Sequence, residues 1–210
     1  MEIISHRGYW LKTEEKNSQE AFSRSFQKGF GTETDIRDRM GELVISHDPA
    51  IGGEMRFAEF LALASETSPL LALNVKSDGI AALLKRELEQ TNYSNYFVFD
   101  MSGPEFLAYK KIGHPTFARV SEFEDPNLQT LDPAGIWFDA FLDDSWRVGW
   151  LQANVQSNVK TAIVSPELHG RDHLAFWQHL KNAKIHEGEK YLLCTDLPEA
   201  AVDFFGVSND

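Results

Sequence analysis

GTETDIRDRMGELVISHD, residues 31–48, reads as two strands joined by a glycine turn, and it carries Glu33, Asp35, His47 and Asp48 in one short span. Glu33 and Asp35 are two positions apart, so a strand puts both side chains on one face with their Cα atoms about 6.5 to 7 Å apart. Two carboxylates placed in this way can converge on one divalent ion. These are hard oxygen donors, with no cysteine or histidine obviously joining them, which points to Mg²⁺ or Ca²⁺ rather than zinc. The plainer reading is a solvated acidic strand face answered by Arg37 and Arg39, and the rest of the chain has to decide between the two.

Outward from this stretch, β-rich runs alternate with segments of helical period. Strands are expected at 2–6, 32–38, 71–76, 96–101, 116–121, 135–141, 161–167 and 191–196. Helices are expected in SQEAFSRSFQKG, closing on Gly29; in AEFLALAS; in IAALLKRELEQ; in PEFLAYKKIG, closing on Gly113; and in DHLAFWQHLKNA, with Asp172 as N-cap. Residues 122–134 are too polar and Pro-rich for a full helix, and 142–158 are ambiguous. Eight strands with intervening helices predict an α/β fold, a compact and somewhat irregular (β/α)8 TIM barrel, with an open doubly wound sheet as the alternative. Nothing in the pattern marks an internal boundary, so residues 1–210 are expected to form one domain.

The net charge of −12 repels the phosphate backbone of nucleic acid. The apolar runs fall far short of the roughly 20 residues that a spanning helix needs. A single cysteine, Cys194, cannot form an internal disulfide, and MEIISHRGYW has no secretory pattern, so a cytoplasmic setting is expected.

In a barrel of this kind the chemistry lies where strands end and the following loops begin. His6 and Arg7 end the first expected strand, Glu33 and Asp35 the second, Asn74 and Lys76 the third, Asp100 the fourth and Arg119 the fifth. Asp139, Glu167 and Asp196 end the remaining three. Packing alone would not require such a set.

The ordered motifs HRG at 6–8, N-S-x-x-A-F at 17–22, E-x-D at 33–35, GELVISHD at 41–48 and L-N-V-K at 73–76 resemble the glycerophosphodiester phosphodiesterase family. T-D-L-P at 195–198 is similar to the ending of that family's last strand. The resemblance implies a distorted eight-stranded barrel that cleaves small phosphodiesters with a bound divalent cation. It implies His6 and His47 as the acid/base pair. The expected metal ligands are Glu33, Asp35 and Asn74, and the candidate phosphate contacts are Arg7, Lys76 and, from its place at the end of the fifth strand, Arg119. The chemistry is coherent, because hydrolysis needs the diester's charge neutralised, its nucleophile deprotonated and its leaving alkoxide protonated. Imidazoles suit both proton transfers, since they titrate near neutrality.

Two departures from the family pattern stand out. Where it reads E-x-K, this chain has Asn74, Val75 and Lys76, so one metal carboxylate is replaced by an amide whose oxygen can still ligate a hard cation. Asp100 is the alternative source of the missing charge. Residues 49–70 are also too few to include the family's usual insertion over the glycerol end, which opens the pocket to a bulkier alcohol, a lipid head group or a sugar-linked diester. The loop SPELHGRD (165–172) brings Glu167, His169 and Arg171 toward the same face, and Trp10 is a candidate pocket wall. Two other readings compete with a metal-dependent phosphodiesterase. One is a catalytically weakened barrel that binds phosphodiester or phosphate ligands, and the other is a metal-dependent lyase or isomerase acting on a sugar phosphate.

Overall fold

The computed structural model describes residues 1–124 and 131–208. The elements run β1 (Glu2–His6), α1 (Gln19–Gln27), β2 (Gly31–Arg39), β3 (Glu42–Ile45), α2 (Phe57–Ala64), β4 (Leu71–Val75), α3 (Ala81–Gln90) and β5 (Tyr96–Phe99). They continue with α4 (Gly103–Ile112), β6 (Phe117–Val120), β7 (Gly135–Phe138), α5 (Arg147–Ala153), β8 (Lys160–Val164), α6 (Leu174–Asn182), β9 (Tyr191–Thr195) and α7 (Pro198–Phe205). Eight strands lie in the order β5-β4-β2-β1-β9-β8-β7-β6, all parallel, and β3 hangs off β2 as an antiparallel flap. The two ends of this order meet at a single parallel bridge, Val98 with Thr116, supported by the Val98 amide donating to the Pro115 carbonyl at 2.9 Å. The sheet is therefore a barrel, not the open doubly wound alternative.

Alternation along the strands divides the core in two. Inward side chains Ile4, Ala72, Phe97, Phe99, Phe117, Trp137, Ala162, Val164, Leu192 and Cys194 fill the barrel. Outward ones such as Leu71, Leu73, Val98, Ile136, Phe138 and Leu193 pack under the helices. Aromatic stacks cover the thinly bonded β5–β6 seam: Phe97 on Phe117 with centroids 3.8 Å apart, and Phe99 on Trp137 at 3.7 Å. Gly135 makes room for them, since a Cβ there would lie 2.3 Å from the Phe117 ring.

Local signals act much as their chemistry dictates. Ser18 caps α1 by accepting from the Ala21 amide, and Gly113 ends α4 in the left-handed region at φ 88°. Asp172 accepts from the Leu174 amide at 2.7 Å, although the backbone cap position is His173. Of the two weak crossovers, 142–158 contains the seven-residue α5, while 122–134 has no α-helix among its described residues and 125–130 lie outside them. Several strands stop earlier than the sequence suggests. Lys76, Asp100, Asp139 and Asp196 are loop residues just past the last ladder position, and Asp100 turns the chain at φ 73°. Lys76, Asp139 and Asp196 continue the inward apolar rows of their strands, and the turn at Asp100 brings its carboxylate to Lys76 and Arg119, so the barrel is greasy below and charged at its C-terminal mouth.

Candidate active site

β1 delivers His6 to the mouth, in register with Glu33 on β2, and Asp35 sits in register with Asn74 on β4. Immediately after His6 the backbone takes two left-handed residues, Arg7 at φ 59° and Gly8 at φ 82°. A Cβ on Gly8 would lie 2.8 Å from Ala21 of α1, so this turn admits only glycine. The turn aims Arg7 sideways, and its Nε lies 3.0 Å from Asp35 Oδ2. Asn17, also left-handed, braces the same loop: its amide donates to Asp35 Oδ2 at 2.9 Å, and its Oδ1 accepts from the Thr34 hydroxyl. The N-S-x-x-A-F motif thus supplies a positioning residue to which the sequence assigned no role.

His6 is held by Asp196, which follows β9: Nδ1 lies 2.7 Å from Asp196 Oδ1. That contact turns Nε2 toward Glu33 Oε2, 3.9 Å away. Lys16 also reaches Asp196, at 3.7 Å, and lies over the ring of Trp10, whose indole donates to the His6 carbonyl. Glu33 is 2 % exposed, and burial, reinforced by the neighbouring Asp35 charge, pushes its carboxyl up to about 7.

The proposed metal ligands are adjacent. Asn74 donates from Nδ2 to Glu33 Oε1 at 3.1 Å, and the remaining oxygens Glu33 Oε2, Asp35 Oδ1 and Asn74 Oδ1 are buried without a hydrogen-bond partner. Three unsatisfied hard oxygens at one place are what a Mg²⁺ or Ca²⁺ site requires, so the residues fit such an ion. Among the described residues no group of three or more His, Cys, Asp or Glu side chains is placed to hold a metal ion, so any such site here depends on the Asn74 amide oxygen.

The phosphate candidates form a chain of charges. Lys76 Nζ lies 3.0 Å from Asp100 Oδ2 and 3.7 Å from Asp35 Oδ1, while Arg119 pairs with Asp100 and with Glu124 at 2.9 Å. Asp100 therefore bridges two cations. His47 has a carboxylate neighbour of its own. It is 47 % exposed on the loop after β3, with Nδ1 2.9 Å from Asp48 Oδ1. It lines a cleft of ≈ 610 Å³ together with Arg7, Lys16 and Asn17, so it joins the site through the wall that holds Arg7.

The far side of the mouth has a second histidine–carboxylate pair, His169 Nε2 with Asp139 Oδ1 at 2.7 Å, and the His169 ring lies against Phe141. The other polar members of SPELHGRD are structural. Glu167 accepts from the Thr195 hydroxyl and from the Asp196 amide, and Arg171 donates to the Ala140 and Phe141 carbonyls. The remaining tryptophans are packing residues, as Trp137 inside the barrel and Trp177 beneath α7 illustrate. The fixing role of Asp196 was not assigned from the sequence; its signals were its place at a strand end and within the T-D-L-P run at 195–198.

No protein-family model and no curated protein matches the sequence. Solved structures do match its fold. A glycerophosphodiester phosphodiesterase from Parabacteroides distasonis superposes with a TM-score of 0.78 at 15 % identity, covering 98 % of this chain and 96 % of that one. One from Agrobacterium tumefaciens gives 0.70 at 15 % identity, covering 98 % of each chain. A phosphodiesterase from Oleispira antarctica, in complex with the product sn-glycerol-3-phosphate, gives 0.70 at 15 % identity, covering 99 % and 97 %. Over nearly its whole length, the chain is similar in fold to glycerophosphodiester phosphodiesterases.

Proposed function

We propose that this protein is a phosphodiester hydrolase whose reaction takes place at the barrel mouth around His6. The observation that carries this reading is the His6–Asp196 pair set 3.9 Å from Glu33, beside three buried oxygens that lack a hydrogen-bond partner. Asp196, accepting from Nδ1–H, leaves Nε2 as the proton-carrying atom that faces the mouth. Arg7, Lys76 and Arg119 supply positive charge for the diester phosphate, and each is already oriented by a carboxylate. Glu33, Asp35 and Asn74 would hold a Mg²⁺ or Ca²⁺ ion, which when bound neutralises phosphate charge and polarises its oxygens. His47, on the cleft wall beside Arg7, serves as the second proton carrier, for attack or for departure of the alcohol.

Hydrolysis of a chromogenic phosphodiester, with EDTA and then Mg²⁺, Ca²⁺ or Mn²⁺ added, tests this reading. Cation-dependent turnover lost in both His6→Ala and His47→Ala is the expected result. The weakened-barrel reading is favoured by one observation, the Asn74 amide in place of a carboxylate. Cation-dependent binding of diesters with no turnover on a broad panel would establish that reading instead.

A further inference from the structure

The His169–Asp139 pair has no part in the reaction assigned to His6, yet it is built on the same plan. Asp139 follows the inward row of β7 above Trp137, is 5 % exposed, and lies 2.7 Å from His169 Nε2, just as Asp196 lies 2.7 Å from His6 Nδ1. Both bonds that Asp139 accepts, from His169 and from the Ala140 amide at 2.8 Å, go to Oδ1, so among the described residues Oδ2 has no hydrogen-bond partner. The loop that carries His169 is fastened on either side of it. Glu167 accepts from the Asp196 amide at 3.1 Å, and Arg171 donates to the Ala140 and Phe141 carbonyls at 2.8 and 3.0 Å. An imidazole held in this way is set in one place. Its ring lies 4.9 Å from that of Phe141, and the Arg119 guanidinium lies 5.5 Å from the centre of the same phenyl ring. Phe141 therefore joins the pair to one of the three phosphate candidates.

We propose that His169, Asp139 and Phe141 bind an alcohol group of the diester, and that this alcohol is an uncharged cyclic polyol such as a hexose; the claim rests on the hydrolase reading above. With Nε2–H donated to Asp139, Nδ1 of the neutral ring accepts from one hydroxyl, and Asp139 Oδ2 accepts from another. Phe141 covers the C–H face of the sugar ring, with Arg119 on the same phenyl at the phosphate end. Other alcohols match these groups less well. An alkyl chain would cover the Asp139 carboxylate without giving it a hydrogen bond. A quaternary ammonium head group would meet Arg119 on Phe141 and Arg171 bonded to the Phe141 carbonyl, two cations already in place.

The test compares three 4-nitrophenyl phosphodiesters, whose second alcohol is glucose joined through O6, methanol or choline, in the wild-type chain, His169→Gln and His169→Asn. The Gln amide nitrogen replaces Nε2 and keeps the bond to Asp139 but loses Nδ1; the Asn amide stands near Nδ1 and gives up Asp139. Wild type should favour the glucose ester over the methyl ester in kcat/KM, through KM. In His169→Gln that preference should fall about tenfold. His169→Asn should retain more of it than His169→Gln does. A structural histidine would give the opposite order, because only Gln keeps the tie to Asp139. The subsite is overturned by equal kcat/KM on the glucose and methyl esters, by preference for the choline ester, or by full preference in His169→Gln. Calorimetric binding of the methyl diester of glucose 6-phosphate separates the two claims. Turnover of all three esters without selectivity would remove the subsite and leave the hydrolase. Binding that weakens in His169→Gln, with no diester turned over, would leave the subsite and remove the hydrolase.

Discussion

Glu33 is held at a price in stability, because its carboxyl titrates near 7 in the fold against about 4.5 in the unfolded chain. Below pH 4.5 both states are protonated and nothing is lost. As pH rises through 4.5 toward 7 the unfolded state ionises first, so stability falls across that window and stays lowered above it. In the presence of EDTA, Glu33→Gln should therefore raise the melting temperature by a few degrees at pH 8 and leave it nearly unchanged at pH 4, while turnover is lost. Thermal melts at the two pH values check this. For Asn74→Glu, an added carboxylate beside Glu33 should tighten Mg²⁺ or Ca²⁺ binding in a calorimetric titration; unchanged or weaker binding would take residue 74 out of the ligand set. Asp196→Asn keeps the size of the side chain but removes the charge that orients His6. It should lower kcat by on the order of 10²-fold, shift the pH profile and leave KM nearly unchanged. A loss confined to KM would assign Asp196 to substrate binding instead.

Among the elements, the β1–α1 turn sets Arg7 and Asn17 against Asp35, and the β7–α5 loop frames the far side of the mouth. Gly8→Ala forces a Cβ at φ 82° into Ala21 and should cost about 2 to 4 kcal/mol, measurable by urea unfolding. On the opposite side, burial tends to raise the Glu122 carboxyl, but the amides of Phe141 and Leu142, at 3.0 and 3.1 Å, and that of Asp143 outweigh it and pull the carboxyl down to about 2. Its clamp on this loop is therefore complete above about pH 4.5 and is released as pH falls toward 2. Glu122→Gln should weaken hydrogen-exchange protection of the Phe141 and Leu142 amides at pH 7; full protection in the variant would show that the loop is held by Arg171 alone.

The barrel as one object is weakest where β5 meets β6, since a single bridge joins them and the Phe97–Phe117 stack supplies the packing. Phe117→Ala should cost about 3 to 5 kcal/mol and should speed amide exchange in β5 and β6 before it does so in β1 and β2. Uniform exchange across the barrel would show that the seam is no weaker than the other ladders.

Period-two and helical patterns, glycine ends and cap residues are local, and they were enough to mark eight strands, most of the helices and the strand-end positions of His6, Glu33, Asp35 and Asn74. Adjacent parallel strands in register then bring Glu33 to His6 and Asn74 to Asp35, so much of the acidic cluster was readable from order and spacing. The partner of His6 was not, because Asp196 lies 190 residues away and meets it only when the last strand closes beside the first. Nor was the outward place of His47 readable, since an antiparallel flap and an exposed loop set it with no periodic pattern to report on it. Local chemistry chose the elements and the residues at their ends; closure of the barrel decided which of those ends touch, because contacts across a closed sheet are made by strands that the sequence keeps far apart.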